Sequence, residues 1–517
     1  MSTDARFRDL ATGIAGDNTT EAERRLARPV AIRVGADASW ARQLTAICLA
    51  DLLGRLLPRV IIDVDTTAPA HPALPPGPPT LAKRLHQARR HALVDSQDAA
   101  DATPELTVVV GTEAGGDLYI DGDGWLSHLG TRPGTLAGAD QTNPIGPLIA
   151  ACRGASQVIQ HLLGDQLPAR ATVEDDYWSA LSLGPVTGSD APNPPLKHPA
   201  VDALLMGAGS IGGATAYALA RVPLLTGTLG IVDPEHLEHR NSRKALLARR
   251  DDISNAALKH EVAAGELAHL TGLTVDPFQG TLAELVAARP ADRPLPLVLC
   301  AVDSIPARRE LADHMPLEAV NAACGDTHIV VSGHRTDDGP CVYCLYIGEV
   351  LDADKTRASM IYRETGLPPA FIDQYRIKRV ALAVPVLRAI ARHRGIPDHA
   401  LDHRAGMTLD ELFDAEFLYG EVKLRSDETE DRRTLQLTFV PALAGIALAA
   451  EALKAQSSEL QATRLGPAGN LGTEYSESLL QPPVGMLSTI QRWSTNACPC
   501  RSLRRLALMR ARYGLAG

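Results

Sequence analysis

Short apolar runs alternate with helix-length stretches from residue 30 to about residue 332, and that alternation predicts an α/β protein. In the first part, residues 30–34, 60–64 and 106–110 read as strands, and 118–120 pairs near the third. Residues 41–57 read as a largely apolar helix holding Cys48, and 144–163 as a long helix with proline at its start. Residues 68–79 hold too many prolines and alanines for regular structure. A short polar helix carrying Arg24, Arg25 and Arg28 precedes the first strand. The run Val108-Val109-Val110-Gly111 leads into a loop with no matching helix, so this part reads as structural, without a nucleotide pocket of its own.

The stretch 184–199 is proline-rich and aperiodic, the pattern of a linker. A second α/β series follows, with a strand from residue 201 that stops at Gly207-Ala208-Gly209-Ser210-Ile211-Gly212. A small-residue helix runs from there to about residue 222, and the next strand ends on Asp233. A helix over 254–270, a strand near 273–275, a helix over 282–288 and strands over 297–302 and 327–332 complete the series. Residues 350–430 are charged and helical, 439–454 form an alanine-rich apolar helix, 457–483 are mostly loop, and 503–513 form a basic helix. The expected organisation is therefore a first α/β half over 1–183, a linker over 184–199, a second α/β domain over 200–349 and 437–517, and a helical insertion over 350–436.

Length and composition narrow this picture. With 517 residues and 45% apolar content, the chain can bury large cores without disulfides. A net charge of -10, with no long lysine or arginine block, argues against a nucleic-acid surface. The N-terminal residues show no apolar signal stretch and no run reaches about 18 uninterrupted apolar residues, so no membrane partner is expected and the cytoplasm is the expected compartment.

The candidate chemistry starts at the glycine turn. Gly207, Gly209 and Gly212 allow a tight turn and close phosphate approach, and the helix N-terminus behind them offers N–H groups to an anion. Asp233, 21 residues after Gly212, can bind a ribose hydroxyl. A nicotinamide-dependent (NAD) oxidoreductase needs little more, and a non-catalytic nucleotide-binding scaffold needs no more. Attack on ATP also requires groups that neutralise a triphosphate and its departing pyrophosphate. Asn241, Arg243, Lys244 and Lys259 follow within 26 residues of Asp233, and Asp303, at a strand end facing the same mouth, can hold magnesium (Mg2+) between phosphates. That set favours ATP. Of the eight cysteines, Cys341-Val342-Tyr343-Cys344 and Cys498-Pro499-Cys500 supply two short-spaced pairs, the ligand set of a structural zinc (Zn2+) site. The first pair alone also fits a redox dithiol.

In this order the motifs resemble the ThiF, MoeB and ubiquitin-activating E1 superfamily of adenylyltransferases. The matching residues are Gly207 to Gly213, Ile231-Val232-Asp233, Asn241-Ser242-Arg243-Lys244, Asp252-Ile253 with Lys259, Ala301-Val302-Asp303-Ser304 with Arg308, Pro340-Cys341-Val342-Tyr343-Cys344, Ala444-Gly445-Ile446 and Glu451-Ala452-Leu453-Lys454. The resemblance implies two Rossmann-like units, the second an E1-type adenylation domain. It implies adenylation, with ATP and magnesium, of the C-terminal carboxylate of a ubiquitin-like or sulfur-carrier protein or a peptide. Gly207, Gly209 and Gly212 would then hold phosphates, Asp233 ribose, Asn241 and Lys259 phosphates, and Asp303 magnesium. The family's Asn-x-x-Arg pattern meets Lys244 at its last place here, with Arg243 one residue earlier, and either can reach the phosphates. The resemblance implies that Arg24, Arg25 or Arg28 would be the counterpart of the N-terminal-helix arginine that often completes the family's pocket. The first half is similar to the inactive half of eukaryotic-type E1 enzymes, which leaves the chain able to act as a monomer or a homodimer. No cysteine occurs from residue 345 to 497, so a thioester formed in the insertion is not expected.

Overall fold

The computed structural model describes residues 24–36, 38–90, 102–136, 142–164, 175–289, 294–295, 297–325, 327–337, 339–346, 361, 365–393, 398–399, 401–416, 437–465, 473–479, 486–490 and 498–515. The chain forms two compact units, residues 1–343 with 424–517, and residues 344–423.

The larger unit holds two sheets. In the first, β1 (Val30–Val34), β2 (Val60–Asp63), β3 (Leu106–Val110), β4 (Leu118–Asp123), β5 (Leu126–Gly130), β6 (Asp175–Ser179) and β7 (Gly184–Val186) lie in the order β2-β1-β3-β4-β5-β6-β7. The pairs up to β3–β4 are parallel and the rest antiparallel. The parallel strands need crossover helices. Helix α1 (Trp40–Leu56) joins β1 to β2, and α2 (Leu81–Arg90) lies between β2 and β3. Helix α3 (Ile145–Leu163) follows β5. Strand β3 has no polar face to spare for solvent: all of Leu106–Val110 is buried, as expected of a strand covered on both sides.

The second sheet has the order β10-β9-β8-β11-β12-β13-β14-β15. Its strands are β8 (Ala200–Met206), β9 (Thr226–Val232), β10 (Thr274–Phe278), β11 (Leu297–Cys300), β12 (Glu318–Cys324), β13 (His328–Arg335), β14 (Thr473–Ser478) and β15 (Met486–Thr489). The five from β10 to β12 run parallel, and the last three extend the sheet antiparallel. The helices of this half are α4 (Ser210–Leu219), α5 (Arg250–Ser254), α6 (Lys259–Leu270), α7 (Leu282–Ala288) and α8 (Ile305–His314). In the smaller unit, α9 (Pro369–Ile377), α10 (Val384–His393) and α11 (Leu409–Glu416) enclose a core that includes Ile372, Leu387, Ile390 and Leu412. The chain then returns to the larger unit with α12 (Phe439–Gln456) and α13 (Leu503–Tyr513).

One continuous hydrophobic core joins the two sheets, from Leu26 through Leu49 and Ile149 to Leu219, Ile446 and Leu479. Helix α12 is central to it. It is the described helix long and apolar enough to cross a membrane by length and composition, yet protein covers almost all of its surface. Its Lys454 pairs with Glu451 and donates to the carbonyls of Ala180 and Leu181 at 3.1 Å and of Thr463 at 3.0 Å. Burial pushes that ammonium below the usual lysine range, and Glu451 opposes the shift. A buried cation is tolerated there because the carboxylate and three carbonyls replace its water.

Several elements differ from the sequence reading. Residues 254–270 are not one helix: Ala256 takes a left-handed φ of 47°, so α5 stops at Ser254 and α6 starts at Lys259. Glu318–Cys324 is a strand although its centre is Asn321-Ala322-Ala323, because β11 and β13 flank it and bury it. Thr473–Ser478, in the stretch read as loop, pairs along β13 with Tyr475 as its buried anchor. Gly184–Val186, in the stretch read as linker, is an edge strand on β6.

Candidate active site

In the second sheet β8 has β9 on one side and β11 on the other, so the chain reverses its direction of winding between β8 and β11. Ligands of open α/β sheets bind at the carboxyl ends of strands at such a switch point. Gly207 follows β8 there with φ 91°, and its N–H donates to the Val232 carbonyl at 2.9 Å. A Cβ on Gly207 would lie 3.0 Å from the Ala301 carbonyl oxygen, just past β11. A Cβ on Gly212 would lie 1.9 Å from the Gly207 oxygen, so only glycine lets α4 start so close under the turn. No side chain caps the N-terminus of α4, whose N-cap is Gly209. Its first N–H groups are therefore left without a side-chain cap, an arrangement that suits an anion.

Asp233 closes the back of this turn. One carboxylate oxygen accepts from the Ala208 N–H at 2.7 Å and the other from the Glu235 N–H at 2.8 Å. Burial raises its carboxyl above the usual aspartate range, and the two N–H donors and the charge of Lys259 pull the other way. Asp303 follows β11 and is exposed. Arg308, buried in α8, fixes the backbone before it, donating to the carbonyls of Val302 at 2.6 Å and Asp303 at 3.2 Å. The Arg308 Nε also donates to Asn321 Oδ1 at 3.3 Å, which ties this loop to β12.

The basic residues come from the loop after β9. A 3-10 turn, His239–Arg243, is closed by a reciprocal box in which the Asn241 side-chain oxygen accepts from the Glu238 N–H at 2.7 Å. Asn241 is buried and its oxygen serves the loop itself. Lys244, just past the turn, is half-buried and engaged, and the Arg243 side chain lies outside the described residues. Lys259, the first residue of α6, is buried and pairs with Glu235. Sequence reasoning did not single out Glu235, because an acidic residue in a polar loop carries no periodic signal. Of the N-terminal arginines, Arg25 donates to the Leu163 carbonyl at 2.6 Å and Arg28 pairs with Glu105, both within the first half.

The four cysteines converge. Cys341 precedes and Cys344 lies within the 3-10 turn Val342–Leu345 after β13, Cys498 and Cys500 precede α13, and their Sγ atoms all lie within 4.8 Å of one another. The Cys341–Cys498 and Cys498–Cys500 sulfurs are 3.4 and 3.3 Å apart. A tetrahedral zinc with bonds of about 2.3 Å sets its sulfurs about 3.8 Å apart, close to this arrangement. All four are buried and form no disulfide.

The family model described as the ThiF family matches residues 197–478. The uncharacterised protein y4jF of Sinorhizobium fredii (strain NBRC 101917 / NGR234) is 27% identical over 402 residues, 77% of this chain and 75% of that protein. Among solved structures, E. coli MccB with AMPCPP and MccA covers 59% of this chain and 67% of its own, at 13% identity and a TM-score of 0.34. PaaA covers 57% of this chain and 74% of its own, at 14% identity and a TM-score of 0.30. With the family model spanning more than half of its length, the chain belongs to the ThiF family.

Proposed function

We propose that the crevice between β8 and β11 activates a C-terminal carboxylate with ATP. The family belongs to the ThiF/MoeB/E1-like superfamily, whose enzymes perform ATP-dependent adenylation. One observation carries the reading to this pocket: the glycine turn is tied through Ala208 to Asp233, while Asp303 stands at the end of the adjacent strand. Gly207, Gly209 and Gly212 would seat the phosphates on the N–H groups of α4, with Asp233 accepting from ribose. Asn241, Arg243, Lys244 and Lys259 come from the loop and helix that follow β9, the supply of donor and positive groups a triphosphate requires. The exposed carboxylate of Asp303 suits a magnesium ion, whose contribution would be to neutralise phosphate charge.

In the reaction, a carboxylate oxygen attacks the α-phosphorus, the bond to the bridging oxygen breaks, and pyrophosphate leaves with that electron pair. The products are an acyl-adenylate and pyrophosphate. The chain's task is to hold the two reactants in line and to stabilise the charge on the departing group. A small ubiquitin-like or sulfur-carrier protein, or a peptide, fits as the carboxylate donor. The first α/β half would be a Rossmann-like partner of the second, without nucleotide chemistry, and the cytoplasm is the compartment this reading expects. Zinc held by Cys341, Cys344, Cys498 and Cys500 would fasten the C-terminal segment to the end of β13, a structural role.

Calorimetry with Mg-ATP and with NAD(H), followed by ATP–pyrophosphate exchange with small proteins ending in Gly-Gly and with short peptides, tests the proposal. Mg-ATP should bind, one carboxylate donor should support exchange, and Asp303→Asn should lower that exchange about 100-fold or more with the fold intact. Tight NAD(H) binding with no ATP binding would sink it.

A further inference from the structure

We propose that Arg55, on α1 of the first half, is a positioning residue for the nucleotide pocket of the second. The inference rests on the adenylation reading for its functional part and on geometry alone for its structural part. Arg55 is fully buried, and its guanidinium is directed into the loop that carries Asn241, Arg243 and Lys244. Its Nη1 donates to the carbonyls of Ser242 at 2.8 Å, Ala245 at 2.9 Å and Ala248 at 3.3 Å. Its Nη2 donates to the carbonyl of Leu246 at 3.0 Å. Nε is held by Asp51, one helical turn earlier, at 2.5 Å.

Four carbonyls from a seven-residue stretch thus converge on one side chain from the other sheet's helix. Such convergence has a physical cost, since carbonyl dipoles aimed at one point repel each other. The loop keeps this shape only while a multivalent cation donor stands at the focus. Asp51 neutralises that cation and fixes its plane. The backbone bonds within the loop are short-range: Lys244 and Ala245 donate to the Asn241 carbonyl at 3.2 and 2.9 Å, and Ala248 to that of Ala245 at 3.1 Å. Those bonds curl the segment upon itself. Arg55 supplies a polar anchor from outside it, so the first half helps to shape the site although it holds none of the phosphate-binding residues.

The test uses the full chain with Arg55→Lys, which keeps the charge beside Asp51 but replaces the planar fork with a single ammonium. The companion variant Asp51→Asn/Arg55→Met removes both charges together and so leaves no buried ion unpaired. Arg89→Lys is the control, since Arg89 is also buried in the first half but donates to the Val60 carbonyl of its own sheet. Hydrogen exchange of the amides over 241–248 is followed without nucleotide, and Mg-ATP affinity is measured by calorimetry. Both Arg55 variants should speed exchange in that stretch about tenfold or more and weaken Mg-ATP about tenfold, whereas Arg89→Lys should lower the melting temperature and leave affinity within about twofold. Unchanged exchange over 241–248 overturns the inference, and so does faster exchange with wild-type affinity. A wild-type chain that binds no Mg-ATP would defeat the adenylation reading, while the exchange arm would still decide whether Arg55 holds the loop.

Discussion

The two sheets reach the same topological point and treat it in opposite ways. In both, the first strand is flanked on each side by a later parallel strand, so each sheet has a crevice where its winding reverses. In the second sheet, three glycines line that crevice and the helix start behind it carries no side-chain cap. In the first, the corresponding helix α1 begins at a serine cap, Ser39, whose side chain accepts from the Arg42 N–H. The Arg42 side chain then lies against Gly111, past the end of β3, where a Cβ would be 3.1 Å from its Nε. Asp121 on β4 holds the guanidinium, with the closest contact at 2.9 Å. A cation of the protein's own thus stands where the other sheet has a bare glycine turn. The comparison teaches that topology creates a place to bind, and that the residues at the turn decide whether it stays open.

The strongest way to break the comparison is to close the open crevice. Gly212→Val places a side chain against the Gly207 oxygen, where even Cβ would stand at 1.9 Å, so the turn cannot keep its shape. Calorimetry should show Mg-ATP affinity lower by about 100-fold or more, about 2.7 kcal/mol or above. Affinity within about threefold of wild type would mean that the glycine turn is not the phosphate seat.

A smaller effect is expected from emptying the filled crevice. Arg42→Met leaves the buried Asp121 carboxylate without its guanidinium, but Arg42 itself is about one-third exposed, so solvent already weakens the pair. Destabilisation of about 1–3 kcal/mol is expected in urea unfolding, with no second nucleotide site. Removing the cation does not restore a glycine turn, and Asp63, at the end of β2, stays paired with Arg33. A second equivalent of bound Mg-ATP in this variant would show that Arg42 alone keeps the first half silent.

How far this division could be read in the sequence depends on how local each signal is. Strands such as Leu106–Val110 announce themselves because nearly every residue is apolar, and the glycine turn with Asp233 is a spacing confined to one strand-helix-strand unit. The short-spaced cysteine pairs were also legible, although 157 residues separate Cys341 from Cys498, because each half of a thiolate cluster carries its own local spacing. Strands β12 and β14 were not legible. Asn321 and Glu477 are buried in them, and their polar groups meet partners brought from elsewhere, Arg308 for one and Arg153 of α3 for the other. Arg55 was hidden for the same reason. Within an apolar helix, an Asp51–Arg55 pair at i,i+4 spacing is a hint of buried polarity, but its first carbonyl partner, Ser242, lies 187 residues away.

The smallest effect separates the pocket's chemistry from its stability through Asp233. Burial sets its folded carboxyl above the unfolded value of 3.8, so the folded state binds the proton more tightly than the unfolded chain does. Taken alone, this group therefore favours the folded state as pH falls, and that contribution is lost as pH rises through the folded pKa. Nucleotide binding should run the other way, because protonation reduces the ability of Asp233 to accept from Ala208, Glu235 and a ribose hydroxyl. Mg-ATP affinity followed as the pH is lowered should begin to fall while urea midpoints still show no loss traceable to this group, and Asp233→Asn should flatten the affinity profile. An affinity profile that is flat in wild type, or equally steep in Asp233→Asn, would mean that the carboxylate behind the glycine turn does not meet the nucleotide.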